Sequence, residues 1–189
     1  MRYYEYLNCA EKHLKGCQQL LQSYQQSTIQ DHHVWLELYY LSGYIVEGIV
    51  VYSVYKLNNW RLSDDIERRY NLPFSQRTNL DFYPIRSRII NGVETIPSFF
   101  QNRPAGALSV KGHRFQDIVR TLLKTDPSFN NIPYIGNGII DIDIEYLLDN
   151  WSPKVRYHYY GMSSHIPTLN RDIITRLLDT CLTIYKNHI

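Results

Sequence analysis

With 189 residues, 44% of them apolar and 20% charged, the chain is long enough for one domain with its own buried core, and it needs no disulfide or metal to hold it. A net charge of +2 is too small to imply nucleic-acid binding, so any such site needs a local basic patch. Cys9, Cys17 and Cys181 are odd in number and lack metal-ligand spacing; this argues against a disulfide framework or a zinc site and fits small buried hydrophobes in a reducing cytoplasm.

The first predicted element is a helix over 3–24. Tyr6, Ala10, Leu14, Cys17 and Leu21 recur at helical spacing, and Gln, Lys and Glu fill the other face. The polar stretch 25–30 ends it. Asp31 is placed to cap a second helix over 32–56, whose stripe is Val34, Leu38, Leu41, Ile45, Ile49 and Tyr52. Leu36, Tyr40, Tyr44 and Val51 widen that stripe, so the helix is expected to be central and covered on several sides. Gly43 and Gly48 lie inside it; each costs about 1 kcal/mol relative to Ala, tolerable where a neighbour must approach closely. The longest near-apolar run, 44–55, is interrupted by Glu47 and reads as too short and too polar for a bilayer. No apolar leader follows the N-terminal Met-Arg-Tyr-Tyr-Glu, so no signal peptide or membrane association is expected.

Residues 58–111 read as an irregular insertion with a short helix over 66–70, punctuated by Pro84, Gly92, Pro97, Pro104 and Gly106. No strand ladder is expected there or elsewhere. A helix over 113–124 follows, with Phe115, Ile118, Val119, Leu122 and Leu123 on one face. Asp141 opens a short helix through Ile144, Leu147 and Leu148 to Trp151, stopped by Ser152-Pro153. The segment 155–160 is aromatic and polar. Pro167 starts a last helix with the stripe Ile173, Ile174, Leu177, Leu178, Cys181, Leu182 and Tyr185. The sum is an all-α, up-and-down bundle of four to five main helices, one domain over 1–189 with the insertion inside it.

Common catalytic signatures are missing from the sequence. Gly136-Asn137-Gly138 is a turn and not a phosphate loop, and neither Gly-x-Ser-x-Gly nor His-Glu-x-x-His occurs. His32 and His33 are adjacent and face different ways. Asp141, Asp143 and Glu145 suit a helix N-terminus, where acids meet the positive dipole end. A rival reading joins them to His113 as a metal-dependent hydrolase site. Most of the 17 tyrosines are expected to pack between helices, where each brings an apolar ring and one hydroxyl.

Three segments carry a family resemblance. The second helix contains Tyr40-Leu41-Ser42-Gly43-Tyr44-Ile45-Val46-Glu47, the third begins Gly112-His113-Arg114-Phe115, and Trp151-Ser-Pro-Lys-Val-Arg156-Tyr157 precedes the last helix. Together, in this order, they resemble the HEPN (higher eukaryotes and prokaryotes nucleotide-binding) family of helical bundles. The resemblance implies a nucleotide- or RNA-binding homodimer in a defence or toxin–antitoxin setting. Its ribonucleases use an Arg, four to six residues, then a His; no Arg here has a His at that spacing, and the family's Lys four residues after the Glu is Val51.

The residues themselves allow a matching site. Glu47 is a carboxylate in an apolar helix, which burial obliges to find a partner; His113 and Arg156 are candidates. Lys154 and Arg156 can bind phosphate, and Tyr157, Tyr159 and Tyr160 can stack bases. Were RNA cleaved, His158 would be the base and Arg156 would hold the phosphate. The expected ligand-binding set is Glu47, His113, Lys154, Arg156, Tyr157 and Tyr160, with no cofactor and no metal. The competing class is a non-enzymatic protein-interaction module built on a structural bundle.

Overall fold

The computed structural model describes residues 2–25, 32–57, 62, 88–90, 93–95, 115–116, 141–157 and 169–187. Within them the fold is all-α apart from one short hairpin. Helix α1 spans Tyr4–Gln25, α2 His32–Leu57, α3 Ile142–Asp149 and α4 Arg171–Lys186; a 3-10 turn, Pro153–Tyr157, follows α3.

Helix α1 forms where the sequence reading puts it. It buries Ala10, Leu14, Cys17 and Leu21 in register, and Tyr3 joins them just before its first turn. Helix α2 is the central element and packs against α1, α4 and the 3-10 turn; α3 in turn packs on α4. It buries Trp35, Leu38, Tyr39, Ile45, Val46, Ile49 and Val50 around most of its circumference. The strand-prone run Ile49-Val50-Val51 stays helical because burial on both sides outweighs local preference. The two polar residues sealed inside are satisfied locally: Ser42 Oγ donates to the Tyr39 carbonyl and Ser53 Oγ to the Ile49 carbonyl, each at 2.7 Å.

Both glycines of α2 are sites of close approach. A Cβ at Gly43 would fall within the indole of Trp151, and one at Gly48 would meet the Tyr6 carbonyl oxygen of α1 at 2.7 Å. Over His32–Ser53, α2 is long and apolar enough to cross a membrane, a longer window than the interrupted apolar run suggests. Of this window 67% is buried inside the fold, and core helices of soluble proteins pass the same test.

Three expectations change. Strands β1, Arg88–Ile90, and β2, Val93–Thr95, pair antiparallel with Ile89 opposite Glu94, although no ladder is expected from the sequence. The intervening sequence, Asn91-Gly92, is a favoured pair for a two-residue hairpin, and the flanking Ile, Val and Thr suit strands. Helix α4 starts at Arg171, not Pro167: Asn170 is extended and its side chain accepts a hydrogen bond from Ile173 N at 3.0 Å. Pro153 does not simply stop α3; it opens the 3-10 turn, whose first amides Ser152 serves through Oγ to Lys154 N, 3.2 Å. The predicted helix over 66–70 and the Asp31 cap lie outside the described residues. Of the helix expected over 113–124, Phe115 and Gln116 are described, and both are helical and buried.

Candidate functional site

The site grows from the seat that Gly43 offers Trp151. Without a side chain at Gly43, the indole lies across α2, and its Nε1 donates to the Tyr40 carbonyl at 3.0 Å. Trp151 meets Tyr44 edge-on at 5.1 Å between centroids and Phe115 at 5.6 Å. Buried Gln116 donates through Nε2 to the carbonyls of Leu148, 2.7 Å, and Trp151, 3.0 Å. Carbonyls at the C-terminal end of a helix lack partners within it, and Gln116 supplies one from another segment. Tyr39 adds a second tie, its hydroxyl donating to the Leu147 carbonyl at 2.7 Å. The end of α3 is therefore fixed against α2, and the chain enters the 3-10 turn in one direction.

That turn buries Val155 and leaves Lys154, Arg156 and Tyr157 exposed. The Arg156 guanidinium lies 4.5 Å from the centroid of the Tyr157 ring and donates to the Tyr157 hydroxyl. Hydrogen bonds to the hydroxyls of Tyr40 and then Tyr157 raise its pKa above the ordinary value. Tyr40 also donates to the Tyr44 hydroxyl at 3.3 Å, and the two rings meet edge-on at 5.0 Å. The Tyr44 hydroxyl is pushed up, first by burial, then by its bond to Tyr40 and the charges of Tyr40 and Glu47, with Arg156 acting the other way. From α1, His13 approaches the Tyr44 ring at 6.2 Å, and burial, then the charge of Lys12, lowers its pKa.

Lys154, Arg156 and Tyr157 share the 3-10 turn that packs on α2, and Glu47 lies near the middle of α2. Glu47 is half-buried one helical turn beyond Tyr44, and it and Arg156 both act on that ring. His113, His158 and Tyr160 lie outside the described residues. Sequence reasoning missed Tyr40, Tyr44, Trp151 and Gln116 as members of the site. Tyr40, Tyr44 and Glu47 share one helix face by spacing, and Gly43 beside them marks a close approach, a pattern that core packing produces as well.

Asp141 and Asp143 are engaged elsewhere. Asp141 caps α3, accepting from Asp143 N at 3.1 Å and Ile144 N at 3.3 Å through Oδ1, while Oδ2 pairs with Arg176 of α4. Arg176 also holds Asp143 at 3.2 Å and Asp172 at 3.0 Å. Among the described residues no three His, Cys, Asp or Glu gather where they could hold a metal.

Chemically, the rim of the 3-10 turn offers a guanidinium, an ammonium and a ring with an exposed face, standing on an aromatic lattice anchored in the core. Such a surface suits an anion attached to a flat group. No family model, no curated protein and no solved structure matches the chain.

Proposed function

We propose that this helical bundle is HEPN-like and binds a nucleotide or RNA at the rim formed by Lys154, Arg156 and Tyr157. The observation that carries the reading is the exposed Arg156 stacked on Tyr157, itself 72% exposed. A guanidinium has five donors, more than the Tyr157 hydroxyl takes up, and its planar fork matches phosphate oxygens. Lys154 adds a point charge beside it, and Tyr157 presents a ring on which a base can stack. The resemblance adds a homodimer and a defence or toxin–antitoxin setting to the same proposal, and the sparse cysteines add a cytoplasmic location.

The test is equilibrium binding of a fluorescein-labelled single-stranded RNA and of ATP. Arg156→Ala is expected to weaken binding roughly ten- to a hundredfold, the worth of a charge-assisted hydrogen bond. Equal affinity in wild type and variant would end the reading. A catalytic version adds His158 as base with Arg156 holding the phosphate. RNA incubated with wild type and with the Arg156→Ala, His158→Ala double variant decides it, since identical fragment patterns dispose of catalysis.

One observation favours a second reading, a protein-interaction module: Ile142, 78% exposed, and Tyr146, 44% exposed, stand four residues apart on α3. Calorimetry against a nucleotide panel separates the two. Saturable heat that Arg156→Ala abolishes favours the first, and no heat with any nucleotide favours the second.

A further inference from the structure

We infer that the outer face of α3 docks a cationic amphipathic segment of a protein partner, with an apolar side chain seated between Ile142 and Tyr146 and Lys or Arg groups meeting Glu145 and Asp149. The inference rests on the interaction-module reading and gives that module a partner of stated chemistry; it is independent of the nucleotide reading.

The fold uses one face of α3 and leaves the other. Ile144, Leu147 and Leu148 are buried, and the ties that fix the helix reach the Leu147 and Leu148 carbonyls at one end and Asp141 at the other. Ile142, Glu145, Tyr146 and Asp149 are exposed, and their three- and four-residue spacing puts them on one side of the helix. Ile142 is 78% exposed and Tyr146 44%, so two large apolar side chains meet water a single helical turn apart. A lone apolar group on a surface needs no explanation; a pair on a fixed helix makes an anchor point.

Charge decides what would cover that pair. Residues 141–149 carry four acids and no base, in a chain whose net charge is +2. Asp141 and Asp143 have a structural reason, since Asp141 caps the helix and both pair with Arg176. The same Arg176 also serves Asp172, so these ion pairs leave the region negative. Asp149 is different. It stands in the last turn, where the negative end of the helix dipole disfavours an acid and where α3 has no basic residue. A cation brought by a partner offsets that cost, whereas a nucleic acid or an acidic peptide is repelled. Eight residues make a face about 12 Å long, enough for two turns of a partner helix and for weak, reversible binding. Because α3 is already fixed on the bundle, docking spends little on ordering this side.

The experiment uses the full chain and a set of fluorescein-labelled, end-capped amphipathic helical peptides that share a Leu face and carry Lys, Gln or Glu on the other. Anisotropy at low salt gives affinity, and backbone amide shifts give the place of binding. The Lys peptide is expected to bind in the roughly micromolar range, to shift the amides of 142–149, and to weaken as salt rises. Ile142→Ser is expected to weaken it roughly tenfold, and Glu145→Gln with Asp149→Asn together roughly three- to tenfold, with amide spectra away from α3 unchanged. Equal affinity for the Lys and Gln peptides overturns the cationic partner and leaves the interaction-module reading standing. Binding by none of the peptides, or amide shifts confined to the other helices, overturns docking on α3 altogether. A concentration-dependent dimer in sedimentation that Ile142→Ser abolishes gives the face to a second copy and overturns the inference as well.

Discussion

At the scale of single residues, two glycines in helices have opposite roles, and the difference lies in what faces each one. Gly16 of α1 is exposed with nothing within 4 Å of a built Cβ, so Gly16→Ala is expected to stabilise the protein by about 0.5–1 kcal/mol through helix propensity. Gly43 is seated under Trp151, and the indole is held on three sides by Tyr44, Phe115 and the Tyr40 carbonyl. Gly43→Ala must displace it and is expected to cost about 1–3 kcal/mol or more, with Trp151 fluorescence changed. Urea denaturation of both variants checks the pair; two shifts of the same sign would show that packing is not what separates them. The sequence places Gly43 at a close approach, but not against which residue. That partner is 108 positions away, and no local pattern announces it.

At the scale of elements, helices α1 and α2 were legible to within a residue at each end, because a long amphipathic period and a polar break specify both. Helix α4 was legible in its buried stripe and not in its start, since Pro167 and Asn170 are both acceptable beginnings and the Asn170 side chain settles the matter by capping. Asn170→Ala is expected to cost about 1 kcal/mol in thermal or chemical unfolding. The start of α3 carries a pH signature. Burial pushes the Asp141 carboxyl up, but the hydrogen bond from Arg176, the Ile144 amide and the Arg176 charge together leave it below its ordinary 3.8. A folded-state pKa below the unfolded value means the folded protein binds that proton more weakly, so protonation favours unfolding. The contribution is complete above pH 3.8 and is lost as pH falls through the depressed folded-state value. Asp141→Asn should flatten the acid limb of the stability curve below that point and leave its slope near neutrality unchanged; a wild-type acid limb in the variant would assign the effect to other carboxylates.

At the scale of the whole molecule, the fold and the site were unequally readable for one physical reason. Burial leaves a periodic trace along each helix, whereas the site depends on tertiary ties between α2 and residues more than a hundred positions later, such as Trp151 to Tyr40 and Tyr39 to Leu147. Composition could give Arg156 and Tyr157 as a cationic-aromatic pair; it could not give the tie from Trp151 to the Tyr40 carbonyl that leads the chain into their turn. The same architecture makes α2 the element through which the bundle is coupled, since α1, α4 and the 3-10 turn all pack on it. Ile49 is wholly buried in α2, while Ile142 on α3 is 78% exposed. Ile49→Ala is therefore expected to destabilise the protein by about 2–5 kcal/mol, with far-UV circular dichroism and Trp fluorescence falling in one shared transition. Ile142→Ala should leave the midpoint within about 0.5 kcal/mol of wild type. If Ile49→Ala instead produced two separate transitions, the helices would be unfolding independently and α2 would not be the staff that joins them. Equal effects of the two substitutions would place Ile142 under a partner surface in solution, and the interaction-module reading would then gain on the nucleotide one.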